Sequence, residues 1–134
     1  MKLKIVLFII VSALVAFGIA FYMYQKKVPG LASENASYQV TANELFDAFN
    51  DNEEAASQQF LEKVIAVTGE VVSIKENNDQ YTVVLHADNA MAGGINCSFR
   101  NTPDTIEKGA TITIKGRCQG FLMDVVLNNC VLEK

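Results

Sequence analysis

The chain has 134 residues, half of them hydrophobic, and a formal net charge of −4. That length suits one domain of about 100 residues with an appendage. From Val28 onward, seven basic residues stand against all fifteen acidic ones, which gives this part a net charge of −8. Because proteins bind nucleic-acid backbones with clustered lysine and arginine, so acidic a domain argues against a nucleic-acid partner.

An uncharged apolar run extends from Ile5 to Tyr24. About 20 residues of helix span a bilayer core of about 30 Å, and this run exceeds the apolar core of an ordinary signal peptide. We therefore predict that residues 1–27 form an uncleaved N-terminal membrane anchor, which contacts the membrane through residues 3–24. Lys26 and Lys27 would then lie among the lipid headgroups. Cleavage after the small residues near Ala20 is the alternative.

Positive charge lies on both sides of the apolar run, but it is greater at the amino terminus, where Lys2 and Lys4 add to the terminal amine. Cytoplasmic flanks carry the excess of positive charge. The sequence thus predicts a single-pass protein of the inner membrane. Its C-terminal domain would be extracytoplasmic, in the periplasm or at the cell exterior.

A short polar tether, 28–38, is predicted to follow the anchor, and residues 39–134 are predicted to form the domain. The domain begins with a helical lead-in over 41–60. Residues Thr41-Ala-Asn-Glu44 have the form of a capping box, and Leu45, Phe46 and Phe49 continue one apolar helix face. Together with Phe60, these aromatic residues are expected in the core.

Five segments with the period-two pattern of β-strands follow. In the first, 63–75, the apolar phase changes on either side of Gly69, which predicts a β-bulge at Thr68-Gly69-Glu70. The other predicted strands are residues 81–86, 95–100, 110–118 and 121–132. Gly116 interrupts the fourth strand as Gly69 interrupts the first, so both glycines are predicted to be structural.

Five short antiparallel strands with glycine kinks are what an OB-fold barrel requires. The predicted fold is therefore mainly β, with N-terminal helices: a five-stranded OB-fold barrel preceded by a short helical segment and a transmembrane helix. An open meander backed by the helix is the alternative. In the barrel the first and fourth strands are neighbours, so Glu70 and Arg117, which each follow a glycine, are expected to lie close together.

Three cysteines, Cys97, Cys118 and Cys130, are compatible with one disulfide and a free thiol in an oxidising compartment. A Cys118–Cys130 disulfide would join the last two strands, and we favour that pairing. A Cys97–Cys118 bridge across the barrel and three reduced cysteines are the alternatives.

Catalytic chemistry finds little support in the sequence. His86 is the single histidine, and the cysteines lack the spacing of a zinc site. No glycine-rich phosphate-binding motif is present, because neither GK[ST] nor GxGxxG occurs. We expect no catalytic residue, no metal and no cofactor.

OB-folds bind their ligands on the outer surface of the second and third strands. With Tyr81, Val83 and Leu85 facing inward, that surface is predicted to hold small, mostly polar residues. They are Thr82, Val84, His86, Asn96, Ser98 and Arg100. Proteins that bind single-stranded nucleic acid stack bases on exposed aromatic side chains, and this set contains none beyond the histidine. A solvated sheet face without a ligand is the alternative.

The sequence from Tyr38 to Leu132 resembles the bacterial anticodon-binding-like (tRNA_anti-like) OB-fold proteins, which are often anchored to membranes. The resemblance rests on the joint order of several short motifs, which are Thr41-Ala-Asn-Glu-Leu45, Asn52-Glu-Glu-Ala-Ala56, Val67-Thr-Gly-Glu-Val71, Cys97-Ser-Phe99, Lys108-Gly109, Lys115-Gly-Arg-Cys118 and Asn129-Cys-Val-Leu132. It implies an OB-fold and a relationship to nucleic-acid-binding proteins.

Two binding functions remain open from the sequence, beside a purely structural role as a subunit of an envelope complex. The first is a non-catalytic, membrane-tethered, extracytoplasmic OB-fold binding module for a protein or small ligand. The second is a protein that binds tRNA or single-stranded nucleic acid, which only the resemblance favours.

Overall fold

The computed structural model describes residues 1–25, 31–78, 80–101, 103 and 105–133. Lys26, Lys27 and residues 28–30 of the predicted tether lie outside them. The helices and strands, in chain order, are α1 (Lys2–Gln25), β1 (Tyr38–Thr41), α2 (Ala42–Asp51), α3 (Glu53–Phe60), β2 (Val64–Asn77), β3 (Gln80–His86), β4 (Gly94–Phe99), β5 (Thr111–Leu122) and β6 (Asp124–Glu133).

Strands β2 to β6 form a closed barrel in the order β2-β3-β4-β6-β5, and β5 returns to pair with β2. The pairing of β4 with β6 is parallel, whereas the other pairings within the barrel are antiparallel. The predicted five-stranded barrel is therefore confirmed. Closure leaves none of these five strands with a fully unpaired edge.

The long strand β2 bends where it passes from one partner to the other. Its N-terminal half pairs with β5 and its C-terminal half with β3. The pairing with β3 changes register between Val71 and Ser73, while the pairing with β5 runs without interruption from Val64 to Glu70. The predicted change of phase is real, but its position at Thr68-Gly69-Glu70 was wrong. The bulge lies where the partner changes.

The first and fourth barrel strands are neighbours, as predicted, but Glu70 and Arg117 are not. In the antiparallel register Glu70 lies opposite Thr111, and Arg117 lies opposite Val64. These two positions are at opposite ends of the ladder. The expected contact was wrong because the two glycines do not face each other across an antiparallel pair.

Gly69 and Gly116 instead allow close packing inside the barrel. A Cβ atom on Gly69 would lie 2.9 Å from the Cβ of Ala42, so the missing side chain lets α2 approach β2. A Cβ atom on Gly116 would lie 2.6 Å from the Sγ of Cys130. Neither glycine has a left-handed backbone, so close approach is the reason for glycine at both positions.

Helices α2 and α3 pack on the barrel through an aromatic cluster. The predicted capping box is present at the start of α2, where the Thr41 hydroxyl accepts from the Glu44 amide and the Glu44 carboxylate accepts from the Thr41 amide. The ring of Phe49 stacks on Phe121 of β5 at a centroid distance of 5.9 Å and lies 6.1 Å from Phe60. Phe46, Phe49 and Phe60 are all buried, as predicted.

Strand β1 was not predicted. It adds to β2 as a parallel strand, with Tyr38 opposite Ile65 and Thr41 opposite Thr68. The strand is only four residues long. Just before it, the Ser37 amide donates a backbone hydrogen bond to the Val64 carbonyl. β1 thus covers the edge that the N-terminal half of β2 presents on the side away from β5.

The segment Leu31–Ser37, which we call the strap, packs on the barrel wall. The side chain of Leu31 is buried. Lys115 is the one charged residue among the buried side chains of the described chain. Its Nζ atom donates a hydrogen bond to the Ala32 carbonyl at 3.3 Å. Arg117 forms an ion pair with Glu34 at 3.2 Å. The strap therefore packs against the domain, although the sequence analysis assigned residues 31–37 to the tether.

All three cysteines are free and buried, so the structure does not have the predicted Cys118–Cys130 disulfide. Cys118 lies opposite Leu127 on β6. The thiol that interacts with Cys130 is that of Cys97. A hydrogen bond with the Cys130 thiol, together with burial, raises the pKa of the Cys97 thiol well above its usual value. Burial also raises the pKa of Cys118.

We expect the three thiols of the reduced, folded chain to react slowly with a water-soluble aromatic disulfide reagent. The thiolate is the reactive species, all three thiols are buried, and burial raises the pKa of Cys97 and of Cys118, which keeps these two protonated. Absorbance of the released thiol measures the reaction. The same chain unfolded in guanidinium serves as the control, in which all three should react rapidly. Rapid reaction of the folded chain would contradict the buried arrangement.

Candidate binding surface

The outer face of the β3–β4 pair carries the side chains expected to form a binding surface. Thr82 lies directly opposite Ser98, and Val84 lies directly opposite Asn96. Facing residues of an antiparallel pair project from the same side of the sheet. Thr82, Ser98 and Asn96 are partly exposed, so this part of the predicted surface is accessible to a ligand.

Val84, in contrast, is buried although it faces outward. The loop that joins β3 to β4 folds over it, and a Cβ atom on Gly93 would lie 2.9 Å from the Val84 Cγ1 atom. Glycine at position 93 therefore allows the loop to lie flat on the sheet. The prediction of Val84 as an accessible contact residue was wrong, because strand alternation carries no information about loop coverage.

The remaining two predicted residues lie far from each other. His86 lies opposite Gly94 at one end of the pair, and Arg100 follows Phe99, which lies opposite Tyr81 at the other end. Six residues of strand correspond to about 20 Å. Both side chains are exposed, but a small ligand would not contact both. His86 pairs instead with Asp88, at 3.2 Å between Nε2 and Oδ1.

Neighbouring strands extend the face with residues that the sequence reasoning did not include. Ser73 and Lys75 of β2 lie opposite Val84 and Thr82, and Val126 of β6 lies opposite Asn96. Lys75 adds one positive charge, yet no aromatic side chain joins the face among these residues. The sequence reasoning missed Lys75 because the face of the sheet on which it lies depends on the position of the bulge, which the structure places at Val71–Ser73.

The β3–β4 loop is fixed to helix α2 by amide and carboxylate hydrogen bonds. Asn43 donates to the Asp88 carboxylate at 2.9 Å, and its side-chain oxygen accepts from the Asp88 amide at 2.8 Å. Asn89 donates to the Asp47 carboxylate at 2.7 Å. The loop is thereby positioned at the end of the barrel where α2 docks.

A cleft of about 370 Å³ opens at the same end, between α3 and the β5–β6 hairpin. Leu61, Phe121, Leu122 and Val126 supply its apolar surface. Its polar lining comes from Glu53, Ser57 and Gln119, with backbone exposed at Gly120. Because Val126 also belongs to the outer face, the cleft and that face are continuous.

Within the described part of the chain, no three His, Cys, Asp or Glu side chains lie close enough together to hold a metal ion. Every buried side-chain nitrogen or oxygen atom in the described part of the chain has a hydrogen-bond partner. The accessible groups are hydroxyls, amides, carboxylates, a few apolar side chains, and the side chains of Lys75, His86 and Arg100. Such a surface can bind a ligand by hydrogen bonds and apolar contact.

The sequence model of the tRNA_anti-like family matches residues 1–132, nearly the whole chain. The chain belongs to the tRNA_anti-like family. This confirms the predicted resemblance. A crystal structure from Klebsiella pneumoniae subsp. pneumoniae MGH 78578, described as a "putative nucleic acid-binding lipoprotein", is similar to this family member with a TM-score of 0.60 and 18% sequence identity. The alignment covers 82% of this chain and all of that chain, and supports the fold. No functionally curated protein matches the sequence.

Proposed function

We propose that this tRNA_anti-like protein is a membrane-tethered binding module without catalytic activity, whose barrel lies on the extracytoplasmic side of the inner membrane. The observation that carries the proposal is helix α1. Lys2–Tyr24 is long and apolar enough to cross a membrane, and none of it is buried against the rest of the chain. An apolar helix of this length is stable in lipid and unfavourable in water.

The outer face of the barrel supports a protein or small-molecule ligand rather than a nucleic acid. Thr82, Asn96 and Ser98 offer hydrogen bonds, while Lys75 and Arg100 are the basic residues near them. Binding of single strands relies on exposed aromatic rings inside a basic groove. Tyr81 and Phe99 instead pack edge to face on the inward side, with ring centroids 6.2 Å apart.

Reporter fusions at the carboxyl terminus test the proposed orientation. Alkaline phosphatase fused after Lys134 is expected to be active and a green fluorescent protein fused there to be dark, since each folds productively on one side of the membrane only. The same reporters fused to the amino terminus provide the opposite control. A dark phosphatase fusion with a bright fluorescent one would place the barrel in the cytoplasm and overturn the proposal.

Nucleic-acid binding is the second candidate, and two observations favour it: the family's anticodon-binding-like description and the description of the Klebsiella structure. The net charge of −8 from Val28 onward opposes it. Gel shifts of full-length protein with tRNA and with single strands, at low salt and roughly 50 μM protein, are expected to show no complex. A retarded band that weakens as salt increases would make nucleic acid the ligand.

A further inference from the structure

Four large hydrophobic side chains are exposed in the described part of the chain outside α1, and they come from neighbouring segments. Leu122 and Met123, 84% and 81% exposed, form the tip of the β5–β6 hairpin. Met91 is 98% exposed in the β3–β4 loop, and Leu61 is 39% exposed after α3. We call these four residues the apolar tip.

Two close approaches bring these segments together. A Cβ atom on Gly120 would lie 3.7 Å from the Leu61 Cδ1 atom, which places Leu61 beside the hairpin. A Cβ atom on Gly93 would lie 3.3 Å from the Asp124 carboxylate, which places the loop of Met91 on the other side of the hairpin. The apolar tip therefore occupies one end of the barrel, beside the 370 Å³ cleft.

Met123, at the tip of the hairpin, has a backbone conformation that is uncommon for its residue type. Its φ angle is 66°, in the left-handed region that glycine and asparagine adopt most readily. Among the described residues, the other non-glycine positions with positive φ are Glu62, Asn78 and Asn129. An exposed methionine at a strained turn contributes little to the core, and such strain is concentrated at functional positions.

Two carboxylates lie beside the apolar tip. Glu53 lines the cleft beside Leu122, and Asp124 follows Met123 directly. Asp47 and Asp88 lie farther along, at the attachment of the β3–β4 loop to α2, where each accepts a hydrogen bond from an asparagine and Asp88 also pairs with His86. Lys63 is the basic residue nearest to Leu61 along the chain, and it is exposed. An apolar surface with an acidic rim attracts a partner that is apolar and positively charged.

We infer that the apolar tip and its cleft dock a basic amphipathic segment of a partner protein. The inference rests on the proposed function and specifies the class of partner. Methionine side chains adapt to different apolar surfaces, and an amphipathic helix inserts spaced apolar residues into a groove of this kind. The carboxylates would pair with lysine or arginine at its edges. The same charge disfavours anionic lipid and nucleic acid at this end of the barrel.

Fluorescence polarisation with a labelled peptide tests this inference on the full-length protein in phosphatidylcholine nanodiscs. The probe is a 14-residue peptide of leucine and lysine with helical spacing, and an analogue with glutamate in place of lysine is the control. Empty nanodiscs give the lipid background. The basic peptide is expected to bind, more weakly at higher salt, and the acidic one is not.

Paired variants locate the binding surface. The double substitution Leu122→Ser/Met123→Asn is expected to weaken peptide binding about tenfold or more without lowering the thermal midpoint of the barrel, because asparagine suits the left-handed turn. Glu53→Gln/Asp124→Asn should also weaken binding and reduce its salt dependence. Glu76→Gln/Glu107→Gln makes the same charge change at the other end of the barrel and should have no such effect.

Several outcomes would overturn the inference. They are absence of binding at low salt, equal binding of the acidic peptide, unchanged affinity in the tip variant, or preferential binding of anionic vesicles or single-stranded RNA in competition with the peptide. The reporter fusions test the proposed extracytoplasmic location independently of peptide binding. An extracytoplasmic barrel that does not bind the basic peptide contradicts this inference alone, whereas a cytoplasmic barrel contradicts the proposed function.

Discussion

Phe49→Ala is expected to lower the free energy of unfolding of the barrel by about 3–5 kcal/mol. Phe49 is 1% exposed and is the side chain through which α2 reaches both α3 and β5. Its removal deletes apolar contacts with Phe60 and Phe121 and leaves a cavity between elements that cannot fully collapse. Total stabilities of about 5–15 kcal/mol make this a large fraction of the whole.

The measurement is urea unfolding of the full-length protein in a mild detergent, followed by circular dichroism in the β-sheet region. Phe8→Ala is the matched control, since it deletes the same ring from the exposed surface of α1. It should leave the barrel transition unchanged. A midpoint for Phe49→Ala equal to that of the control would show that α2 does not stabilise the barrel through this ring.

Patterns contained within one segment were predicted correctly from the sequence. The capping box at Thr41 and the buried stripe of Phe46 and Phe49 depend on spacing within a single helix. Inward positions such as Val83 and Cys97 likewise follow from alternation within a single strand. Five such strands with two interior glycines then sufficed to identify the barrel, because few arrangements bury so many short strands.

Features that depend on two segments were predicted less well. The register between β2 and β5 sets which residues face Gly69 and Gly116, and spacing within either strand does not determine it. The bulge was placed at Gly69 because glycine tolerates a kink, yet it lies at Val71–Ser73, where β2 changes partners. The same limit applies to the favoured Cys118–Cys130 pairing, because the register between β5 and β6 places Cys118 opposite Leu127.

For the candidate surface too, features within one strand were predicted and features that depend on a second segment were not. Alternation correctly placed Thr82, Asn96 and Ser98 on the outer face, but it gave no sign that the β3–β4 loop covers Val84. The apolar tip was also missed, because an exposed Met123 is apparent only once the hairpin turn and its backbone conformation are known. Leu31, an isolated apolar residue in the predicted tether, was the available signal that this segment packs on the barrel.

Gly116→Ala is expected to destabilise the barrel by about 1–3 kcal/mol. The new Cβ atom would lie 2.6 Å from the Cys130 Sγ and 3.0 Å from the Leu127 Cβ, so one of these core groups must move. A change from glycine to alanine in an unstrained, open position has the opposite sign and stabilises by about 0.4–1 kcal/mol through the unfolded state. The sign of the effect therefore distinguishes close packing from simple backbone freedom.

A double-mutant cycle with Cys130→Ala identifies the group that Gly116 accommodates. Removal of the sulfur atom eliminates the shortest contact, so the cost of Gly116→Ala should fall markedly when position 130 is alanine, with a coupling of about 1 kcal/mol or more. Urea midpoints of the four chains measure it. Additive effects would mean that Leu127, rather than the Cys130 thiol, limits the space. A stabilising Gly116→Ala would refute the close packing of β5 on β6 and leave the glycine without a structural role.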